Sequence, residues 1–433
     1  MAVVFKKQGL ILLLVMILFS ASACNLTKEN TNGYSDKNID SNSGQLNPPT
    51  NGPNEDISKG DQDIEVDKTK EQISSMSLEE KIGQMLVVGI DGYNLNSNTK
   101  NLLDKHKVGG IIVMGENVQD SKQLLSLINE IKKENQKNKI PLFMTIDEEG
   151  GRVTRMPKEF KKLPSNKVIG QINNPTFSYK LGSVIAEEIK AFGFNMDFAP
   201  VLDINSNPRN LVIGDRAFGA KASIVSSLGI QTMKGIQNQN IIPAVKHFPG
   251  HGDTLVDSHK GLPSVSNDLK RLKSLELIPF SEAIKNNADV VMIAHILLPK
   301  IDKDNPSSMS KIIITDILRK ELKFEGVVIT DDMTMGAIVK NYPIGEAAVK
   351  SVSAGADIVL VCHGYNNELE VINTLKNAVV KGEISEERID ESVYRILKLK
   401  EKYQLKDEII NTVDVNKINS KINNLLNSYV NKK

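Results

Sequence analysis

Eight short apolar runs punctuate the chain, at residues 85–90, 110–114, 141–146, 195–202, 241–245, 290–294, 327–330 and 358–362. They are bounded by Gly, Pro or Asp, and several are β-branched, as expected of strands buried on both faces. Between them apolar residues recur at helical spacing: Leu124, Leu127, Ile128 and Ile131; Leu181, Val184, Ile185 and Ile189; Ile312, Ile313, Ile317 and Leu318. Ser77 with Glu80 three residues on is a capping-box pattern, opening a turn with Leu78 and Ile82 on one face. Strand and helix alternating eight times predict the α/β class and a single (β/α)8 TIM-type barrel, with a doubly wound open sheet as the alternative.

The polar residues that follow these runs favour the barrel. Asp147, Glu148, Glu149, Gly150, Gly151 and Arg152 follow the third run; Asp203 and then Gly214, Asp215 and Arg216 follow the fourth. Lys246 and His247 follow the fifth, His295 the sixth, Asp331 and Asp332 the seventh, and His363 the eighth. A barrel gathers such strand ends into one pocket, whereas an open sheet spreads them along an edge. Residues 366–380 and 385–403 read as closing helices. The Lys- and Asn-rich remainder reads as a frayed tail, which gives a catalytic domain over 71–405 and a polar tail over 406–433.

The beginning of the chain has a different character. Lys6 and Lys7 precede an apolar run from Leu10 to Phe19, then Ser20, Ala21, Ser22, Ala23 and Cys24. The run is too short to span a bilayer and has the layout of an export signal over 1–24. Cys24 stands where a bacterial lipoprotein signal places its acylated cysteine, although Ala21 occupies a position more usually Leu; simple secretion with cleavage near Ala23 is the alternative. Residues 25–70, rich in Asn, Ser, Gly, Asp and Lys, cannot bury enough surface to order themselves. They read as a disordered tether with a reach on the order of 40 Å. The expected location is the outer face of the cell membrane, held by a lipid anchor. Cys362, the other cysteine, lies in an apolar run, so a disulfide framework is not expected.

Lys plus Arg (54) nearly balances Asp plus Glu (53), which gives no argument for nucleic acid as a partner and suits a small neutral ligand. Half of the six histidines fall in one stretch, Lys246-His247-Phe248-Pro249-Gly250-His251-Gly252-Asp253-Thr254 continuing through Asp257-Ser258-His259. Loops on rigid strands are where chemistry concentrates. By residue type alone His247, His251, Asp253, Asp257 and His259 could be metal ligands, but the two glycines and the absence of a helical His-x-x-x-His spacing within the motif weaken that reading. Asp331 is a carboxylate ending a buried strand, costly unless a ligand or donor meets it. Alternation does not decide whether Asp331 or Asp332 faces the pocket, because residues 327–329 are apolar on both faces.

These stretches, with Ile329-Thr330-Asp331-Asp332-Met333, resemble glycoside hydrolase family 3, most closely its bacterial β-N-acetylglucosaminidases that act on cell-wall fragments. The resemblance spans roughly residues 73–405 as ordered motifs. It implies a barrel, a retaining mechanism, no metal and no cofactor. It implies Asp331 as nucleophile and His259 as acid/base oriented by Asp257, in place of the second carboxylate most retaining enzymes use. Histidine titrates near neutrality and can serve both halves of such a cycle. Gly250 and Gly252 suggest a loop that brings His259 in on binding. Asp147, Arg216, Lys246 and His247 match positions that hold sugar hydroxyls; Arg152 is either a ligand group or an ion-pair partner of Glu148 or Glu149.

The expected activity is therefore exo-hydrolysis of terminal β-linked N-acetylglucosamine, from peptidoglycan fragments such as GlcNAc-MurNAc, by a monomer whose partner is a small carbohydrate. A β-glucosidase or β-xylosidase, a glycosyl phosphorylase, a non-catalytic sugar-binding lipoprotein and a metallohydrolase are the alternatives. With no Trp in the chain, Phe248 and Phe218 remain as stacking platforms, though Phe in such motifs is more often packing. His295 reads as a pocket-lining or satisfied core histidine.

Overall fold

The computed structural model describes residues 67–430. The export signal, Cys24 and the tether up to residue 66 lie outside the described residues. The last residues of the expected tether belong to the folded unit: Asp67 caps the helix Lys68–Ser74 by accepting the Thr69 amide at 3.1 Å. The capping box at Ser77 forms as expected and opens the helix Leu78–Gln84.

Eight parallel strands follow: β1 (Leu86–Val88), β2 (Gly110–Ile112), β3 (Phe143–Ile146), β4 (Met196–Asp197), β5 (Ile242–Phe248), β6 (Val290–Ile293), β7 (Val327–Thr330) and β8 (Val359–Val361). Their order is β7-β6-β5-β4-β3-β2-β1-β8, and a parallel bridge between Ile329 and Ile358 joins the two edges into a barrel. Every strand residue is buried, because helices cover the outside and side chains fill the inside; the continuous apolar runs reflect both. The open-sheet alternative is excluded. The stretch carrying Ile313, Ile317 and Leu318 is helical as expected but wound as a π-helix, Ile312–Glu321.

Two regions depart from the sequence reading. First, β5 does not stop at Val245. It runs through Lys246 and His247 to Phe248, with a shifted register against β6 between Val245 and Phe248. Leu202 donates to the Lys246 carbonyl at 2.6 Å and Ala294 to that of Phe248 at 2.8 Å, so polar residues sit in a strand paired on both sides. Second, the C-terminal segment is not frayed. Asn129 exchanges two hydrogen bonds with the backbone of Ile410, at 2.8 and 3.0 Å. The helix Val415–Tyr429 buries Ile418, Ile422 and Leu425 and stacks Tyr429 on Phe177 with ring centroids 5.0 Å apart. That spacing makes one apolar stripe, enough to dock a helix whose remaining residues are polar.

A network of buried charge stands at each end of the barrel. At the N-terminal end Asp357, fully buried just before β8, accepts from Arg319, Arg388, Arg395, Ser392 and the Val328 amide. These partners hold its carboxyl below the usual range against the opposing effect of burial. Charge networks at that end of such a barrel serve stability. The second set lies at the opposite, C-terminal end.

Candidate active site

The strand ends supply a cavity of about 190 Å³ lined by Asp147, Glu149, Arg216, Lys246, His247, His259 and Asp331 among others. It is small beside the roughly 300–1,000 Å³ of drug-sized ligand sites and suits one ring rather than an extended chain. Its apolar lining comes from Ile112, Met114, Phe198, Met292 and Leu360. Phe248 and Phe218 are buried in packing, Phe248 edge-on to Phe280, and neither offers a sugar platform.

The polar floor is a connected network of ions. Lys246, almost fully buried, places Nζ 2.6 Å from Asp147 Oδ1 and 2.8 Å from Glu149 Oε1. Arg216 holds Glu149 bidentately, Nε–Oε2 at 2.8 Å and Nη2–Oε1 at 2.6 Å. Burial opposes charge on both Lys246 and Glu149. The carboxylates nonetheless raise the Lys246 pKa, and Arg216 with Lys246 holds Glu149 well below the ordinary range. Period-two alternation after β3 explains the choice of residues: Asp147 and Glu149 face the cavity, while Glu148 turns away.

His247 is positioned from behind. Its Nδ1 lies 2.6 Å from Asp203 Oδ2, and its Nε2 lies 3.3 Å from Arg216 Nη2 at the cavity. Asp203 Oδ1 also accepts the His251 amide at 2.6 Å. The His251 ring, between Thr254 Oγ1 at 2.9 Å and Ser258 Oγ at 3.2 Å, is uncharged at neutral pH, since burial and neighbouring His247 push its pKa down to about 4.

The two aspartates after β7 both line the cavity and differ in their partners. Asp332 is occupied, accepting from the Thr334 amide at 2.9 Å, the Thr334 hydroxyl at 2.6 Å and the Cys362 amide at 2.9 Å. Asp331 accepts the Asp332 amide at 2.9 Å and lines the cavity. Burial would raise its pKa, but the imidazoles of His247 and His295, the Asp332 amide and Lys246 together lower it, so it is a carboxylate at neutral pH. His295 is a satisfied core residue, 2.7 Å from Ser308 Oγ and 3.0 Å from the Asp332 carbonyl, and burial pushes its pKa down.

His259 and Asp257 meet in the loop after β5, with Nδ1 3.1 Å from Oδ1. The segment is docked: Ser258 accepts the Ala337 amide at 2.9 Å, the Lys260 carbonyl accepts Lys340 Nζ at 2.7 Å, and His259 already lines the cavity. Gly252 is required by close approach, since a Cβ there would stand 1.7 Å from the Ile204 carbonyl; Gly250 takes φ +127°. That positive φ, with Glu276 Cβ 2.9 Å from where a Cβ would stand, requires glycine at 250 as the Ile204 backbone requires it at 252.

Sequence reasoning missed Glu149 and Asp203 as site residues. Each looks like one more acidic residue until the fold sets it against Arg216 and Lys246, or behind His247. Arg152 does not pair with Glu148 or Glu149. It lies 2.7 Å from Asp215 and donates to the carbonyls of Leu211 and Val212. His363 sits at the exposed rim, 3.4 Å from Glu116. Among the described residues no group of three or more His, Cys, Asp or Glu is arranged to hold a metal ion.

Comparison with known proteins follows the same lines. Residues 77–399 match the family described as "Glycosyl hydrolase family 3 N terminal domain". A curated relative, beta-hexosaminidase A of Pseudoalteromonas piscicida, is 35% identical over 325 residues, covering 70% of this chain; the chain spans only 54% of that protein's length. The beta-hexosaminidase of Idiomarina loihiensis is 34% identical over 292 residues, 66% of this chain and 86% of the relative. Among solved structures, a glycoside hydrolase family 3 beta-N-acetylglucosaminidase from Paenibacillus sp. str. FPU-7 superposes with a TM-score of 0.77 at 38% identity, covering 82% of this chain and 69% of that one.

Proposed function

The chain belongs to glycosyl hydrolase family 3, and from that premise we propose that it is a retaining exo-β-N-acetylglucosaminidase that acts through a covalent glycosyl-enzyme on Asp331. The observation that carries this reading is that an ionised carboxylate, Asp331, and an imidazole held by its own carboxylate, His259 with Asp257, open onto one small cavity. Retaining hydrolysis needs a nucleophile and a proton donor that later becomes a base.

In the first step Asp331 attacks the anomeric carbon as the glycosidic bond breaks. Because Nδ1 of His259 is engaged by Asp257, the proton for the leaving oxygen comes from Nε2. In the second step the same nitrogen takes a proton from water, which attacks the anomeric carbon and releases Asp331. Asp147, Arg216, Lys246 and His247 bind hydroxyls of the terminal sugar through charge-assisted hydrogen bonds, and Glu149 fixes both cations in place. The apolar lining accommodates the acetamido methyl group. The beta-hexosaminidase relatives support the amino-sugar substrate.

The motif resemblance supports peptidoglycan fragments such as GlcNAc-MurNAc as the substrate and a monomeric enzyme as the working form. The N-terminal pattern ending at Cys24 supports an exported lipoprotein on the outer membrane face. Incorporation of a labelled fatty acid that Cys24→Ser abolishes tests this last point.

The function itself is tested with a chromogenic β-N-acetylglucosaminide in the presence of chelator. Turnover that chelator leaves intact and that Asp331→Ala and His259→Ala each remove is the expected result. Activity only on a β-glucoside or β-xyloside overturns the substrate assignment. Inorganic phosphate added in parallel distinguishes hydrolysis from phosphorolysis by the appearance of a sugar 1-phosphate.

A further inference from the structure

The cavity ends where His259 begins. The His259 side chain is 69% exposed at the mouth, and the cavity holds little more than the terminal sugar. A proton passing from Nε2 to the glycosidic oxygen needs hydrogen-bond reach, so the bond being cut lies beside this ring. Everything on the leaving side of that bond projects outward over the loop that carries His259.

Two of the exposed residues of this loop are apolar where solvent would favour polar ones. Leu255 is 63% exposed and Val256 45% exposed, immediately before Asp257. On a second loop Leu211 is 82% exposed. Buried Asn210 joins the two loops: its Nδ2 donates to the His251 carbonyl at 2.8 Å and to Thr254 Oγ1 at 3.2 Å, while its Oδ1 accepts the amides of Val212 and Ile213, each at 3.0 Å. Leu211 and Leu255 are therefore the next residues along from the two ends of one hydrogen bond, and Val212, beside Leu211, lines the cavity. Leu211, Leu255 and Val256 do not line the cavity themselves but stand within a few residues of Val212, Ser258 and His259, which do; exposed apolar side chains so close to a polar pocket mark a binding surface, because water gains from their being covered.

We propose that Leu211, Leu255 and Val256 form an apolar platform for the leaving group, which makes the enzyme select aglycones that turn an apolar face toward the His259 loop. This rests on the glycosidase reading above and adds the specificity of its leaving side. An aryl ring has such a face, and so does a sugar whose hydroxyl is replaced by an alkyl ether, as in a lactyl-substituted residue. A methyl aglycone is too small to reach the platform.

The test compares kcat/KM for the methyl and the 4-nitrophenyl β-N-acetylglucosaminides in the unaltered enzyme and in Leu211→Ser, Leu255→Ser and the double variant. The aryl-to-methyl ratio is expected to fall about threefold in each single variant and about tenfold in the double one, the effect of uncovering part of a leucine surface at each site. Leu255→Met, which keeps the apolar surface, holds the ratio within about twofold. Leu211 stands on a different loop from His259, so its variant separates loss of the platform from displacement of the catalytic ring. A ratio unchanged in the double variant, or equal losses on both substrates, overturns the platform while leaving the glycosidase reading intact. If the unaltered enzyme hydrolyses neither substrate, the glycosidase reading falls, and the platform with it.

Discussion

One carboxylate oxygen of Asp257 binds His259 twice, accepting its amide at 3.0 Å and facing its Nδ1 at 3.1 Å. Backbone and ring are thus held by a single acceptor two residues away, which fixes both the loop conformation and the imidazole orientation. Burial would raise the Asp257 pKa, but the two bonds from His259 and the charges of His259 and Lys260 lower it. The acceptor is present throughout the range above the ordinary carboxylate value and is lost only as pH falls through the lowered one.

Removing His259 should therefore hurt substrates in proportion to how much their leaving group needs a proton. His259→Ala is expected to cost about 10²–10⁴-fold in kcat/KM on an alkyl glycoside and much less on a 2,4-dinitrophenyl one, whose leaving oxygen departs without protonation. Asp257→Ala, which leaves the ring present but unaimed, should show the same trend with a smaller loss, about 10–100-fold. Equal losses across leaving groups would falsify the acid/base assignment.

Asp331→Ala should abolish turnover by at least about 10³-fold with every leaving group, because the step it removes is bond formation to the anomeric carbon. Azide, a small anion able to enter the vacated space, should restore cleavage of an activated substrate and give a glycosyl azide of inverted configuration, readable by NMR. A product of retained configuration would move the nucleophile to another residue.

How much of this was legible in the sequence depended on whether a residue's role was local. The eight strands were legible because burial on both faces leaves an unbroken apolar run, and the place of Asp331 at the cavity was legible because it ends such a run. The true end of β5 was not, since Lys246 and His247 look like loop residues until Leu202 and Ala294 pair with the backbone around them. Asp332 could not be set apart from Asp331 by alternation, because the distinction lies in partners from Thr334 and from Cys362 on the next strand. The terminal helix carried its signal in Ile418, Ile422 and Leu425, diluted by asparagine and lysine on the remaining faces.

Glu149 illustrates a dependence visible only in three dimensions. Glu149→Ala would leave Arg216 and Lys246 buried without this shared carboxylate, and it is expected to destabilise the fold by about 3–5 kcal/mol besides removing activity. Glu149→Gln, which keeps the shape and one acceptor, should cost less. Urea unfolding of the two variants checks the order; Gln as damaging as Ala would mean that charge, and not the hydrogen bonds, holds the pair.

On the side of β3 turned away from the cavity lies a cluster of opposite character. Glu148, Glu188 and Asp197 are all buried, and burial raises all three pKa values, Glu148 to about 7. Glu148 accepts from the Thr154 hydroxyl at 2.7 Å and the Arg155 amide at 2.9 Å, and its own amide donates to Asp197 at 3.0 Å; these bonds and the charges of Arg155 and Lys246 only partly offset burial. A carboxyl with a raised folded-state pKa keeps its proton in the native state while the unfolded chain has already released it. Stability therefore declines as pH rises from the ordinary value of 4.5 to about 7, and levels off above it. Over that window Glu148 alone accounts for ~3 kcal/mol at 1.36 kcal/mol per pH unit. Glu148→Gln, neutral at every pH, should gain on the unaltered protein by ~2–3 kcal/mol more at pH 8 than at pH 5, as read by urea unfolding at the two values. A gain of equal size at both would mean that Glu148 is ionised in the native state throughout.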